Sequence, residues 1–227
     1  MVKKSIASLL LAALSAAAVP AAERCVNMDF SIAPEKINVK RTVTNAKKKT
    51  ELAEYCIVIP ATSGKNFTFQ CRLIPQRLKA YAGMAVGIGN DQLAAHQLKV
   101  QLRLGDKNRS SLTFGSGSRC TALFKPVQGI KIEPLLITIK YHADSNSAGV
   151  LVTSVQGKVV MQKDNVPLKF NNFSANNIIV TVNDQAGVGE SYLNYDSAKQ
   201  YLSGKSFFNS KYWSNFAVDD VKITYTE

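Results

Sequence analysis

The chain has two histidines, one tryptophan and sixteen acids among 227 residues, and each shortage excludes something. No GxSxG stretch occurs, so neither His96 nor His142 finds the nucleophile elbow of a serine hydrolase. The glycine-rich pieces "GMAVGIGN" and "AGVGES" lack a phosphate-loop lysine and a strand-to-helix setting. Paired carboxylates cut glycosides, but the one pair to consider, Asp219 with Glu190, has no favourable spacing. No CxxC or Cys/His spacing fits zinc. After the first twenty residues no apolar run approaches the roughly 20 residues that a membrane-spanning helix needs. Helical periodicity is scarce and no internal repeat is visible. These absences weigh against an enzyme and against a membrane span.

What is present begins with "MVKKSIASLLLAALSAAAVPAAERC". Lys3 and Lys4, the short apolar stretch Ile6 to Val19 and the small residues after it have the grammar of a secretory signal peptide. The expected cleavage falls between Ala18 and Ala22, leaving residues 1–22 as leader and 23–227 as the mature chain. The reading is an exported protein, extracellular or periplasmic, of bacterial style. Glu23 and Arg24 before Cys25 argue against lipidation there.

The dominant period is two. Val26, Met28, Phe30 and Ile32 alternate with polar residues, as do Leu98, Val100, Leu102 and Leu104. Ile130 and Ile132 begin a set that Pro134 interrupts and that continues to Tyr141. Ile178 to Val182 and Val221 to Tyr225 repeat the habit. Such alternation marks strands with one buried face, and turn signals such as "GDKNRSS", "HADSNSAG" and "VQGK" separate them. The pattern predicts an all-β, antiparallel β-sandwich of about a dozen strands, with at most one or two short helices. One helix is expected in "DSAKQYLSGK", with Asp196 as N-cap and Gly204 just past its end. A single domain over 23–227 is the preferred organisation. The alternative is a split near 142–149 into two small β domains.

Four cysteines, Cys25, Cys56, Cys71 and Cys120, are an even count for an exported chain and predict two disulfides. If "YCIVIP" and "NFTFQCRL" form a hairpin around Ser63-Gly64, Cys56 falls opposite Cys71 and Val58 faces Phe69. That register gives Cys56–Cys71 and leaves Cys25–Cys120. The alternative has both hairpin cysteines pointing inward and pairing elsewhere.

Charge is uneven. Residues 23–142 hold 19 Lys and Arg against 8 acids, whereas 143–227 hold 7 against 8. Lys36, Lys40, Arg41, Lys47, Lys48 and Lys49 form the focus. A basic face of this kind attracts anionic polysaccharide or lipopolysaccharide, and in an exported protein these are better partners than nucleic acid. The plainer alternative is a solvated lysine loop.

Eight of the nineteen aromatic residues fall within 192–216. Aromatic faces offer apolar area to sugar C–H groups, and neighbouring amides meet the hydroxyls. Tyr195, Tyr212 and Trp213, with Asn194 and Asn215, are therefore the candidate ligand-binding residues. The competing reading places these rings in the core, and Phe216, which opens the last alternating strand, belongs there.

The start, "CVNMDFSI", and the end, "FAVDDVKITY", resemble galactose-binding-like jelly rolls, a group that includes many carbohydrate-binding modules. These often open on an Asn-x-x-Phe strand and close on an aromatic, an acidic pair and an alternating strand. The resemblance implies a jelly-roll sandwich and, in many members, a structural calcium between first and last strands. Carried over, its ligands would be Asp29 with Asp219 or Asp220; otherwise no cofactor is expected. The leading expectation is a non-catalytic protein that binds a glycan or anionic cell-surface polymer. The rivals are a fimbrial or surface-assembly subunit that donates Val26–Ile32 as a strand, and a secreted hydrolase.

Overall fold

The computed structural model describes residues 23–27, 37–45, 50–59, 61, 64–77, 83–90, 92–105, 109–184 and 215–226. The expected leader 1–22, the helix expected from Asp196, and Asp29, Lys36, Lys47, Lys48, Lys49, Asn194, Tyr195, Tyr212 and Trp213 lie outside them.

Fourteen strands make up the described regular structure. They are β1 (Glu23–Asn27), β2 (Ile37–Asn45), β3 (Thr50–Val58), β4 (Phe67–Arg77), β5 (Gly83–Gly89), β6 (Gln97–Leu104) and β7 (Ser110–Ser116). The short β8 (Thr121–Ala122) and β9 (Val127–Gln128) follow, then β10 (Leu135–His142), β11 (Ser147–Ser154), β12 (Val159–Pro167), β13 (Asn177–Asp184) and β14 (Asn215–Thr226). All pairings among the described strands are antiparallel, in a six-stranded sheet β1-β14-β4-β10-β11-β12 and an eight-stranded path β2-β3-β13-β5-β6-β7-β8, with β9 on β7. The fold is an all-β sandwich of two antiparallel sheets. Among the described residues no helix is long and apolar enough to cross a membrane.

The alternating strands behave as their period requires. In β10, Leu135, Ile137, Ile139 and Tyr141 are buried, and Leu136 and Lys140 are exposed. The inward set packs on Met84, Val86, Ile88, Leu98, Val100 and Leu102 of the opposite sheet. Burial of each such aliphatic side chain contributes about 1.5–3 kcal/mol. Pro134 sets a limit: residues 129–134 carry no strand, and the run expected from Ile130 starts at Leu135.

Residues 142–149 are the tip of the β10–β11 hairpin, closed by Asn146 N–H donating to the Ala143 carbonyl (3.1 Å) with Asn146 at φ 44°. Strands from both sides of that tip interleave: β13 pairs with β3 and β5, and β14 with β4.

The expected hairpin between Cys56 and Cys71 does not form. Cys56 lies on β3 of the eight-stranded sheet, and Cys71 lies on β4 of the other, facing the core. Around the link between them, Ile59 N–H donates to the Asn176 carbonyl (2.9 Å) and Gly64 N–H to the Phe173 carbonyl (3.1 Å). The segment thus crosses between sheets on a 173–176 anchor instead of turning back on itself. Cys56, Cys71 and Cys120 are all buried thiols, so neither expected disulfide is present. The Cys120 sulfur, between β7 and β8, lies 3.5 Å from the Lys99 carbonyl oxygen.

Candidate functional site

The outer face of the six-stranded sheet carries the chemistry of a binding groove. Strand register sets two parallel rows across it. In the first, Lys222 of β14, Gln70 of β4, Thr138 of β10 and Leu151 of β11 are successive cross-strand partners. In the second, Arg72, Leu136 and Thr153 follow one another on β4, β10 and β11. Neighbouring strands lie about 4.8 Å apart, so each row offers a different group at every such step.

Apart from Arg72, these side chains line an open depression of about 310 Å³, together with Asp220. That volume is at the small end of the range of about 300–1,000 Å³ for ligand sites. Its floor holds two leucines on the outward phase of their strands, where polar residues are the rule: Leu136 is 40% and Leu151 36% accessible. Gln70 Nε2 donates to Thr138 Oγ1 at 3.5 Å, so amide and hydroxyl stand side by side.

Asp220 reaches the groove through a β-bulge. Between the pairs Asp219–Arg72 and Lys222–Gln70, β14 has two residues where β4 has one. Val221 turns into the core, and Asp220 takes a left-handed φ of 51° and stays exposed. Arg72 Nη2 donates to Asp220 Oδ2 at 2.9 Å, fixing the carboxylate over the rim.

Two further polar clusters are structural in character. At one end of the sandwich, His96 stacks on Phe170 at a centroid distance of 4.7 Å. Its Nδ1 accepts the Ser174 backbone N–H (3.2 Å), and Asn90 Nδ2 donates to Ser174 Oγ (3.0 Å). Desolvation holds the His96 pKa below its ordinary value, in keeping with a neutral ring that accepts. The second cluster is centred on Lys99, fully buried on β6, whose Nζ donates to Gln97 Oε1 (3.0 Å) and to the Ser118 carbonyl (2.8 Å). Burial pushes the adjacent Cys120 thiol up to about 11, against a smaller opposing pull from Lys99.

The sequence-predicted residues distribute unevenly against this geometry. Asp220 lies at the groove. Asn215 and Asp219 are on β14 opposite Arg77 and Arg72, and Lys40 and Arg41 are on β2 opposite Glu54 and Ala53. For calcium, no group of three His, Cys, Asp or Glu gathers among the described residues, and Asp220 is engaged with a guanidinium. Gln70, Arg72, Leu136, Thr138, Leu151, Thr153 and Lys222 were not among the candidates. Their one signal in the sequence is an apolar residue on the polar phase of a strand, as at Leu136 between Leu135 and Ile137.

No family model and no curated protein sequence matches the chain. Among solved structures it is similar to the CBM2 module of the evolved Dit of Lactobacillus casei BL23 phage J-1, with TM-score 0.55 and 8% identity over 92% of this chain and 97% of that one. It is also similar to peanut lectin, with TM-score 0.53 and 11% identity over 91% and 98%. Lectin II from Ulex europaeus gives 0.51 and 11% over 90% and 99%. At these identities the likeness is one of fold: a lectin-type jelly-roll sandwich, the architecture that the two ends of the sequence implied.

Proposed function

We propose that the chain is a carbohydrate-binding protein that acts without catalysis, with the groove on the six-stranded sheet as its binding surface. The observation that carries this reading is the juxtaposition of the exposed Leu136–Leu151 floor with the amide, hydroxyls and charges of Gln70, Thr138, Thr153, Asp220 and Lys222. Sugar rings present C–H faces to apolar floors and hydroxyls to fixed polar groups, and this surface offers both. Lectins and a CBM2 module among the similar folds support the same reading. The proposal includes export after removal of 1–22 and a single mature domain. It also includes a second contact region at Tyr195, Tyr212 and Trp213, and a basic face at Lys36–Lys49 that strengthens attachment to acidic polymers. A structural calcium in this proposal depends on Asp29 and Asp219.

The strand-donation alternative is less well supported. It needs Val26–Ile32 available to a neighbour, whereas Glu23–Asn27 pair with β14 of their own chain, from Glu23–Thr226 to Asn27–Lys222.

A glycan array probed with the mature protein and with Leu151→Asp and Trp213→Ala tests the proposal. Binding that Leu151→Asp abolishes supports the groove; a loss confined to Trp213→Ala moves the site to the aromatic segment. No signal on any glycan at any salt concentration removes the carbohydrate reading.

A further inference from the structure

We infer that the groove seats an uncharged sugar ring on its β10–β11 floor and reads a pair of neighbouring hydroxyls with Asp220 and Lys222. This rests on the carbohydrate reading above and adds the class of ligand and the residues that select it. Strand register lays four outward side chains in a two-by-two tile, Leu136 and Thr138 of β10 against Thr153 and Leu151 of β11. Same-face neighbours lie about 6.8 Å apart along a strand and about 4.8 Å apart across strands. The leucines therefore occupy one diagonal of the tile and the threonines the other, over an area that suits a single ring. A sugar ring has the same mixed character, with C–H patches set between hydroxyls. Each leucine can meet a C–H patch while the threonine beside it exchanges a hydrogen bond.

The β14 end of the depression favours neither sign of charge. Its charged groups are one carboxylate, Asp220, and one ammonium, Lys222. Arg72, just outside, bonds Asp220 at 2.9 Å and stands opposite Asp219 in the register. An anionic substituent placed here meets Asp220 as well as Lys222, and a cationic one meets the same conflict in reverse. A pair of hydroxyls does not. A carboxylate only accepts and an ammonium only donates, whereas a hydroxyl does both. One hydroxyl donates to the Asp220 carboxylate and its neighbour accepts from Lys222 Nζ, so adjacent hydroxyls satisfy both groups at once. Gln70 lies between Lys222 and Thr138 in the same row, and its amide can donate or accept on the way to the tile.

This matching makes groove binding insensitive to salt, because no net charge is neutralised when the ligand docks. The groove is thereby separable from the proposed basic face at Lys36–Lys49, whose attraction for acidic polymers would fall as ionic strength rises.

The test is a glycan array that prints neutral gluco-, galacto- and manno-oligosaccharides beside their uronate or sulfated counterparts. It is probed with the mature protein and its variants from about 0.05 to 0.5 M NaCl. Signals that Leu151→Asp removes belong to the groove. The expected result is that these are neutral glycans whose signal holds across that salt range. Titration of the strongest of them should show Thr138→Val weakening binding about fivefold, the loss of one neutral hydrogen bond. Lys222→Gln, which keeps a donor and removes the charge, should weaken it less than about threefold, whereas loss of a charge-assisted bond would cost about tenfold or more. Groove signals confined to the acidic counterparts, fading with salt and lost in Lys222→Gln, overturn this inference and leave the carbohydrate reading standing. Signals that all survive Leu151→Asp overturn it as well and move the site elsewhere on the protein. No signal from any glycan overturns both readings. Leu151 and Lys222 are exposed and Thr138 is half-buried, so unchanged thermal melts control for folding.

Discussion

Arg72 and Asp220 meet at 2.9 Å across β4 and β14, and the aspartate makes the contact from a left-handed backbone conformation at a bulge. Geometry and charge are separable here. The pair is partly exposed, with Asp220 59% and Arg72 34% accessible, so solvent screening limits its contribution to below about 1 kcal/mol. Asp220→Asn, which keeps a residue tolerant of positive φ, should change the urea midpoint little. Asp220→Val should cost about 1–2 kcal/mol, because a β-branched side chain is penalised at that φ. Both should lose ligand affinity alike, separating the recognition role of the carboxylate from the backbone requirement.

The His96–Ser174 bond makes stability depend on pH. Nδ1 accepts a backbone N–H and must therefore be unprotonated, and burial lowers the His96 pKa in the folded chain. The unfolded imidazole titrates near about 6.5, so below that pH the unfolded chain binds the extra proton first. The His96 contribution is complete above the unfolded pKa and is lost as pH falls through the lowered folded one. Urea melts from pH 7.5 to 5 should show falling stability. His96→Phe, which keeps an aromatic ring beside Phe170 but removes the acceptor, should show a flatter slope. An unchanged slope would assign the pH dependence to other groups.

Gly87 sits mid-strand on β5 where the backbones of β5 and β6 are very close. A Cβ there would collide with the Leu98 carbonyl oxygen and lie 2.7 Å from the Lys99 Cα. Gly87→Ala should cost more than about 2 kcal/mol, or prevent folding, since backbone has to move. Gly64, at φ 66° with nothing within 4 Å of its would-be Cβ, is the comparison. Its replacement by alanine should cost only about 1 kcal/mol, from backbone conformation alone. Chemical denaturation of the two variants tests the contrast.

Alternation made the strands legible, because a one-sided strand has to repeat every second residue. Val221 and Ile223 are buried in β14, and Leu98, Val100 and Leu102 in β6, as that period requires; Val218, three residues before Val221, shares their face only through the bulge at Asp220. Partner choice was not legible. "YCIVIP" and "NFTFQCRL" suit a hairpin by local pattern, yet β3 and β4 enter different sheets because the 173–176 segment binds the link between them. The groove was hidden for the same reason. Lys222, Gln70, Thr138 and Leu151 come from four separate stretches of chain and become neighbours only through register. Asp220 was found because its acidic pair is local, but its partner Arg72 is a long-range choice.

Cys71 and Cys120 should be inert in the native protein. Burial raises the Cys71 thiol far above its ordinary value and Cys120 to about 11, so at pH 8 almost no thiolate forms at either. An aromatic disulfide reagent should leave both unlabelled under native conditions. In denaturant without reductant, Cys56, Cys71 and Cys120 should all alkylate, as mass spectrometry of the digest would show. Protection of Cys56 and Cys71 that persists in denaturant and disappears only with reductant would restore the bridge between them. That outcome would also require β3 and β4 to approach each other, against the sheet order found here, so the chemistry tests the topology as well as the redox state of the thiols.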